Sequence, residues 1–112
     1  MHETAADEEA GAFRALADST RRQILEDLRS GDLTAGEITA RFPISGPSIS
    51  RHLGVLKAAG LVRERRAANR IIYSLVEERL ALCIGRFLSA VCPEQISVRQ
   101  RRRRVVKKGE RT

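Results

Sequence analysis

Apolar residues recur along this chain at two different periods, and the change of period marks out its elements. Ala6, Ala10, Phe13 and Ala17 fall at helical spacing with Leu16 beside them, which predicts a helix over residues 6–17. Asp18 is a good N-cap for a second helix, whose buried stripe is Ile24, Leu25 and Leu28 and whose stop is Gly31. Thr34-Ala35-Gly36-Glu37 reads as a capping box, so a short third helix starts at Thr34, buries Ile38 and ends at Phe42-Pro43. Ser45 caps a fourth helix that tolerates Pro47 in its first turn, buries Ile49, Leu53 and Leu56, and stops at Gly60. Two short helices joined by a tight turn make a helix-turn-helix.

After Gly60 the period shortens. Leu61–Arg66 and Arg70–Leu75 flank Ala67-Ala68-Asn69 and predict a β-hairpin, with Asn69 the residue best able to take a left-handed conformation. A last helix runs from about Val76 to Val91, with Leu80, Ile84, Phe87, Leu88 and Val91 on one core-facing stripe, and Pro93 ends it. The predicted fold class is mainly α with a small β-hairpin: a winged helix-turn-helix of about five helices plus a two-stranded wing. No internal repeat is apparent.

A chain of 112 residues has room for one ordinary domain, and at 42% hydrophobic its core is small, so a dimer would help it. We divide it into an acidic N-terminal segment (1–9), the winged helix-turn-helix domain (10–92) and a basic C-terminal tail (93–112) too rich in like charge to pack. No apolar run approaches the roughly 20 residues of a membrane span, the acidic start fits no targeting peptide, and two cysteines make no disulfide framework. The expected setting is a reducing cytoplasm, with no membrane partner.

The charge is unevenly distributed. Residues 1–40 carry 4 basic and 9 acidic groups, and residues 41–70 carry 7 basic and 1 acidic. Residues 71–98 carry 2 and 3, and residues 99–112 carry 8 and 1, which brings the net charge to +7. A basic stripe on a folded domain is the footprint of a polyanion. The plainer reading, a solvated charged face, loses ground because the middle stripe coincides with the helix-turn-helix and the hairpin.

On a helical wheel Pro47, Ser48, Arg51, Gly54, Val55 and Ala58 lie away from the buried face of the fourth helix, and that outward surface is small and uncharged except for Arg51. Such a face enters a major groove, where Arg51 can pair bidentately with guanine and Ser45, Ser48 and Ser50 can meet phosphates or base edges. Gly46 and Pro47 sit in the first turn, whose backbone N–H groups suit a phosphate. Against this stand plain roles: Ser45 as an N-cap, Arg51 as a solubilising charge, and His52, a further DNA-facing candidate at the edge of the buried face, for which packing or a backbone contact is at least as expected as base reading. Arg63, Arg65, Arg66, Asn69 and Arg70 place four guanidiniums on one ribbon, which suits a minor groove or a phosphate track.

Leu16-Ala17-Asp18-Ser19-Thr20-Arg21-Arg22-Gln23-Ile24-Leu25 resembles the opening of the ArsR/SmtB-type winged-helix repressors. So do Ser48-Ile49-Ser50-Arg51-His52-Leu53, the run Leu56-Lys57-Ala58-Ala59-Gly60-Leu61-Val62, and Tyr73-Ser74-Leu75 at the end of the wing. Thr34–Ile38 and Phe42–Ser45 look most like the SdpR-type autorepressor branch. Many relatives have Gly where this chain has Ala68. The resemblance implies a bacterial, nucleoid-associated, homodimeric repressor whose fourth helix reads double-stranded DNA and whose first and last helices build the dimer. Phe13, Leu80, Leu82, Cys83 and Phe87 are the expected dimer residues, because a last helix with apolar groups on more than one side wants a second partner.

No cofactor and no metal is expected. The third-helix region has no thiol, His2 and His52 are the only histidines, and zinc needs about four ligands. Cys83 and Cys92 are too far apart along one helix, about 13.5 Å, to pair within a chain, which leaves a thiol-responsive repressor bridging across a dimer as an alternative. A dimeric protein-interaction module is another alternative, though it leaves the basic middle unexplained. A third has the tail contacting RNA or bulk DNA on its own. No nucleophile has a partnering base, and an enzyme is not expected.

Overall fold

The computed structural model describes residues 4–96. Five helices are present: α1 (Ala5–Leu16), α2 (Ser19–Leu28), α3 (Ala35–Thr39), α4 (Gly46–Ala58) and α5 (Glu77–Val91). Strands β1 (Leu33–Thr34), β2 (Val62–Ala67) and β3 (Arg70–Leu75) form one antiparallel sheet in the order β1-β3-β2. The basic tail beyond residue 96 lies outside the described residues.

Local chemistry sets the helix starts. The Asp18 carboxylate accepts from the backbone N–H groups of Thr20 (2.8 Å) and Arg21 (3.2 Å), and these bonds, Arg21's foremost, hold its pKa below the usual carboxylate value. Thr34 and Glu37 close the expected capping box. α1 starts one residue earlier than the pattern predicts, capped by a second box between Thr4 and Asp7. Helix α4 ends in a Schellman motif: Gly60 has φ 77°, its N–H reaches Lys57 O at 2.9 Å, and Leu61 N–H reaches Leu56 O at 3.0 Å.

One core gathers every element, with Leu33 of β1 half-buried against its edge. Ile24, Leu25 and Leu28 of α2, Ile38 of α3 and Ile49, Leu53 and Leu56 of α4 meet Leu61, Val62 and Tyr73 of the hairpin, with Ala12, Ala15 and Cys83 closing the far side. The helix-turn-helix stripes are therefore buried as the pattern predicts.

The two-stranded wing forms as expected with a short third strand added beside it, and three other expectations are corrected. The wing belongs to a three-stranded sheet, because Leu33 and Thr34 pair with Tyr73 and Ile72; two residues are too few to show a period in the sequence. α1 buries Ala12 and Ala15, whereas Ala6, Ala10, Phe13 and Ala17 are exposed. The stripe on α5 is divided: Leu80 and Ile84 pack on the core, Phe87, Leu88 and Val91 are exposed, and the buried residue is Cys83. The hairpin turn is the pair Ala68-Asn69, with Ala67 absorbed into β2, and the left-handed residue is Ala68 (φ 59°), not Asn69. A positive φ at the first turn residue alone is the type II′ pattern, in which the second residue, here Asn69, keeps a negative φ.

Candidate nucleic-acid interface

The site grows out of α4. Its inner face is fixed by Ile49, Leu53 and Leu56, each 2% exposed or less. That burial leaves Pro47, Ser50, Arg51, Gly54 and Ala58 outward and exposed, with Ser48 and Val55 half-buried on one flank. Nothing stands within 4 Å of where a Cβ on Gly54 would lie, so this surface is open. Ser45 Oγ accepts from Ser48 N–H (3.2 Å) and donates to Ser48 Oγ (2.9 Å), so the first turn is capped by a hydroxyl pair. The small residues give a smooth ridge, and Arg51 is the one charge standing on it.

His52, a DNA-facing candidate at the edge of the buried face, stands at that edge. Its side chain is 19% exposed, and Nδ1 sits 3.2 Å from Arg21 Nη1 and 3.9 Å from Asp18 Oδ1. The ring thus contacts the start of α2.

The wing stands beside α4 and is pinned to it. Lys57 in the last turn of α4 donates to Glu64 of β2, and Glu64 accepts from the Tyr73 hydroxyl at 3.1 Å across the strand pair. Lys57 first and Tyr73 second hold the Glu64 pKa low, while burial, and then Glu64, push the Tyr73 hydroxyl up. The one acidic group of the basic middle stripe is therefore spent on structure.

Register separates the four arginines. Val62, Glu64 and Arg66 point to the face of β2 that carries the core, opposite Leu75, Tyr73 and Ile71. Arg63 and Arg65 point to the other face, and Arg70, paired with Ala67, joins them. All four are exposed, but three make one basic face and Arg66 stands on the reverse. Arg65 also lies 3.8 Å from Asp32. Asn69 is exposed at the tip.

A second surface lies on α1 and α5. The Phe13 and Phe87 rings meet edge to face, 5.2 Å between centroids, and both remain exposed, at 40% and 38%. The exposed apolar groups of this surface also include Leu88 and Val91 (69%) and, about 140° away from Phe87 around α5, Leu82 (66%). Of the expected dimer residues, Phe13, Leu82 and Phe87 stand on it, whereas Leu80 packs against the core and Cys83 is 5% exposed within it. The thiol of Cys83 is buried, and Cys92 donates to Leu88 O at 3.1 Å.

Among the described residues no group of three or more His, Cys, Asp or Glu side chains could hold a metal ion. Among them, too, no helix is long and apolar enough to cross a membrane.

Residues 16–65 match the model of a helix-turn-helix domain. The transcriptional repressor SdpR of Bacillus subtilis (strain 168) is 51% identical over 63 residues, which span 56% of this chain and 70% of SdpR. The solved ArsR-like transcriptional regulator from Rhodococcus sp. RHA1 superposes with a TM-score of 0.66 at 33% identity, covering 91% of each chain. The homodimeric winged helix-turn-helix DNA-binding domain of Mb0332 from Mycobacterium bovis, a possible ArsR-family regulator, gives 0.64 at 30% identity, covering 81% of this chain and 83% of that one.

Proposed function

This chain belongs to the ArsR family of winged helix-turn-helix, DNA-binding transcriptional repressors, and from that premise we propose that it works as a homodimer reading a roughly palindromic operator. α4 enters the major groove. Arg51 reads a base edge there, and Ser48 and Ser50 contact bases or phosphates, with the capped turn at Ser45, Gly46 and Pro47 against the groove wall. Arg63, Arg65 and Arg70 supply phosphate contacts from the wing, and Arg66 and Asn69 complete its tip. One observation carries this reading: the outward ridge of α4 is small and uncharged except for Arg51, beside a wing whose only carboxylate is engaged elsewhere.

The homodimer rests on the exposed side chains of Phe13, Leu82, Phe87, Leu88 and Val91, since a helix that leaves large apolar groups in water on more than one side wants a second partner. A two-fold axis through this surface presents two copies of α4, which suits half-sites about one DNA turn apart. In this reading residues 10–92 form the DNA-binding unit, the basic residues of 93–112 add sequence-independent attraction, and the protein acts in the cytoplasm without metal, cofactor or catalysis. A footprint on the DNA upstream of its own gene tests it. Two symmetric protected half-sites are the expected result, and binding that ignores sequence altogether would overturn it.

A further inference from the structure

Arg21 is fully used, and the way it is used fixes the chemistry of His52. Its Nε donates to Ala15 O at 2.7 Å and its Nη2 to Arg14 O at 3.1 Å. Both are carbonyls in the last turn of α1, whose negative end welcomes a cation, and Arg14 O also accepts from Ala17 N–H at 3.2 Å. The guanidinium is thereby clamped flat at the junction of α1 and α2, with its own N–H held by the Asp18 cap. The remaining nitrogen, Nη1, faces His52 Nδ1 at 3.2 Å, from a position 31 residues away in the chain.

A guanidinium has donors and no acceptor. Nδ1 of His52 must therefore accept, which places the proton of the neutral ring on Nε2. Among the described residues the buried side-chain nitrogen or oxygen without a hydrogen-bond partner is Arg79 Nε. His52 Nε2 has no hydrogen-bond partner among them and is not such a fully buried atom, on a side chain that is 19% exposed. Its flank of α4 is that of Ser48, one turn earlier, beside the ridge that carries Arg51.

We propose that Arg21 is a positioning residue that locks His52 in its Nε2–H form, and that this N–H donates to a phosphate on the wall of the groove entered by α4. The proposal rests on that docking of α4. It assigns His52 to DNA as a neutral backbone contact carrying no sequence information. Lysine could not replace Arg21, because one ammonium cannot reach three acceptors in a plane.

NMR of the imidazole nitrogens in the full chain reads the tautomer directly, and His2→Ala leaves His52 as the only signal. The expected species is Nε2–H, with Nε2 perturbed when DNA is added. Two substitutions then separate contact from packing. His52→Asn carries an acceptor at the Nδ1 position and nothing at Nε2; His52→Gln carries a donor near Nε2 and loses the anchor to Arg21. The Asn variant is expected to bind operator and random DNA about tenfold more weakly, the size of one charge-assisted hydrogen bond, and the Gln variant to recover part of that loss. The salt slope stays unchanged, because a neutral donor releases no counterion. An Nδ1–H ring in the unmutated protein would overturn the lock. Full affinity in His52→Asn would overturn the phosphate contact and leave the docking of α4 standing, whereas an unmutated chain that bound no DNA would overturn both.

Discussion

Helices α4 and α5 are of similar length, 13 and 15 residues, and each buries one side in the same core, yet what they leave outside is opposite in kind. α4 leaves Pro47, Ser50, Gly54 and Ala58 around a single arginine; α5 leaves Leu82, Phe87, Leu88 and Val91. The first surface costs nothing in water and offers hydrogen bonds to a polar groove. The second loses roughly 25 cal/mol for every Å² of apolar area it keeps wet, so it favours any partner that covers it. Folding explains the inner faces of both helices. Function is written in the remainder, and the two remainders ask for different partners, a polyanion and a copy of the chain.

The harshest test puts a charge into the apolar remainder. Leu82→Glu or Phe87→Glu should turn the dimer into monomers and weaken operator binding by about a hundredfold or more, roughly 2.7 kcal/mol, because each monomer then holds one half-site alone. Leu82 is the cleaner site, since at 66% exposure it contributes little to the monomer's own core. Sedimentation of the unmutated protein at micromolar concentration completes the test: a well-folded single-chain mass would remove the dimer, and with it the meaning given to α5.

Next in size is the charge on the polar remainder. Arg51→Ala should cost roughly 1–3 kcal/mol on the operator and less on random DNA, measured by titration at one salt concentration. Equal losses on both would make Arg51 a phosphate contact, and α4 would then differ from α5 in charge alone.

A smaller effect separates the two faces of the wing. Arg63→Ala or Arg65→Ala should each lower the slope of log affinity against log salt by about one unit, while Arg66→Ala on the reverse face leaves it near the unmutated value. Equal slopes for all three would show that the ribbon turns in the groove and that its register does not choose which arginines reach phosphate.

Which of these features the sequence discloses depends on how local their cause is. The caps at Asp18, Thr34 and Ser45 are legible because donor and acceptor lie within three residues, and each side chain is bonded as its spacing predicts. The core stripes of α2 and α4 are legible because three large aliphatic groups in each leave no doubt about the inner side, and in α3 because Ile38 is its one large aliphatic residue. α1 misleads, since alanines lie all round it and only packing decides that Ala12 and Ala15 go in. α5 misleads for the reverse reason: its apolar positions exceed what one chain can cover, and periodicity cannot say where the core ends. The three-and-one division of the wing arginines needs the strand register. The bond from Arg21 to His52 spans 31 residues and has no sequence signal at all, although an arginine in a helix's first turn, just after another helix has ended, marks a position from which that helix's last carbonyls are within reach.

The smallest expected effect concerns the tip of the wing. Ala68 sits at φ 59°, where a Cβ crowds the following carbonyl at a cost of roughly 1–2 kcal/mol, while glycine gives back part of any gain through the extra freedom of its unfolded chain. Ala68→Gly should therefore raise stability by up to about 1 kcal/mol, read as a higher denaturant midpoint with an unchanged m-value. Operator affinity should stay nearly constant, because the turn adds no charge and the arginines of the outer face keep their register. A lower midpoint would mean that the turn does not hold Ala68 left-handed. A change in operator preference would mean more. The wing tip would then read sequence through its shape, and reading could no longer be assigned to α4 with the wing as its electrostatic support.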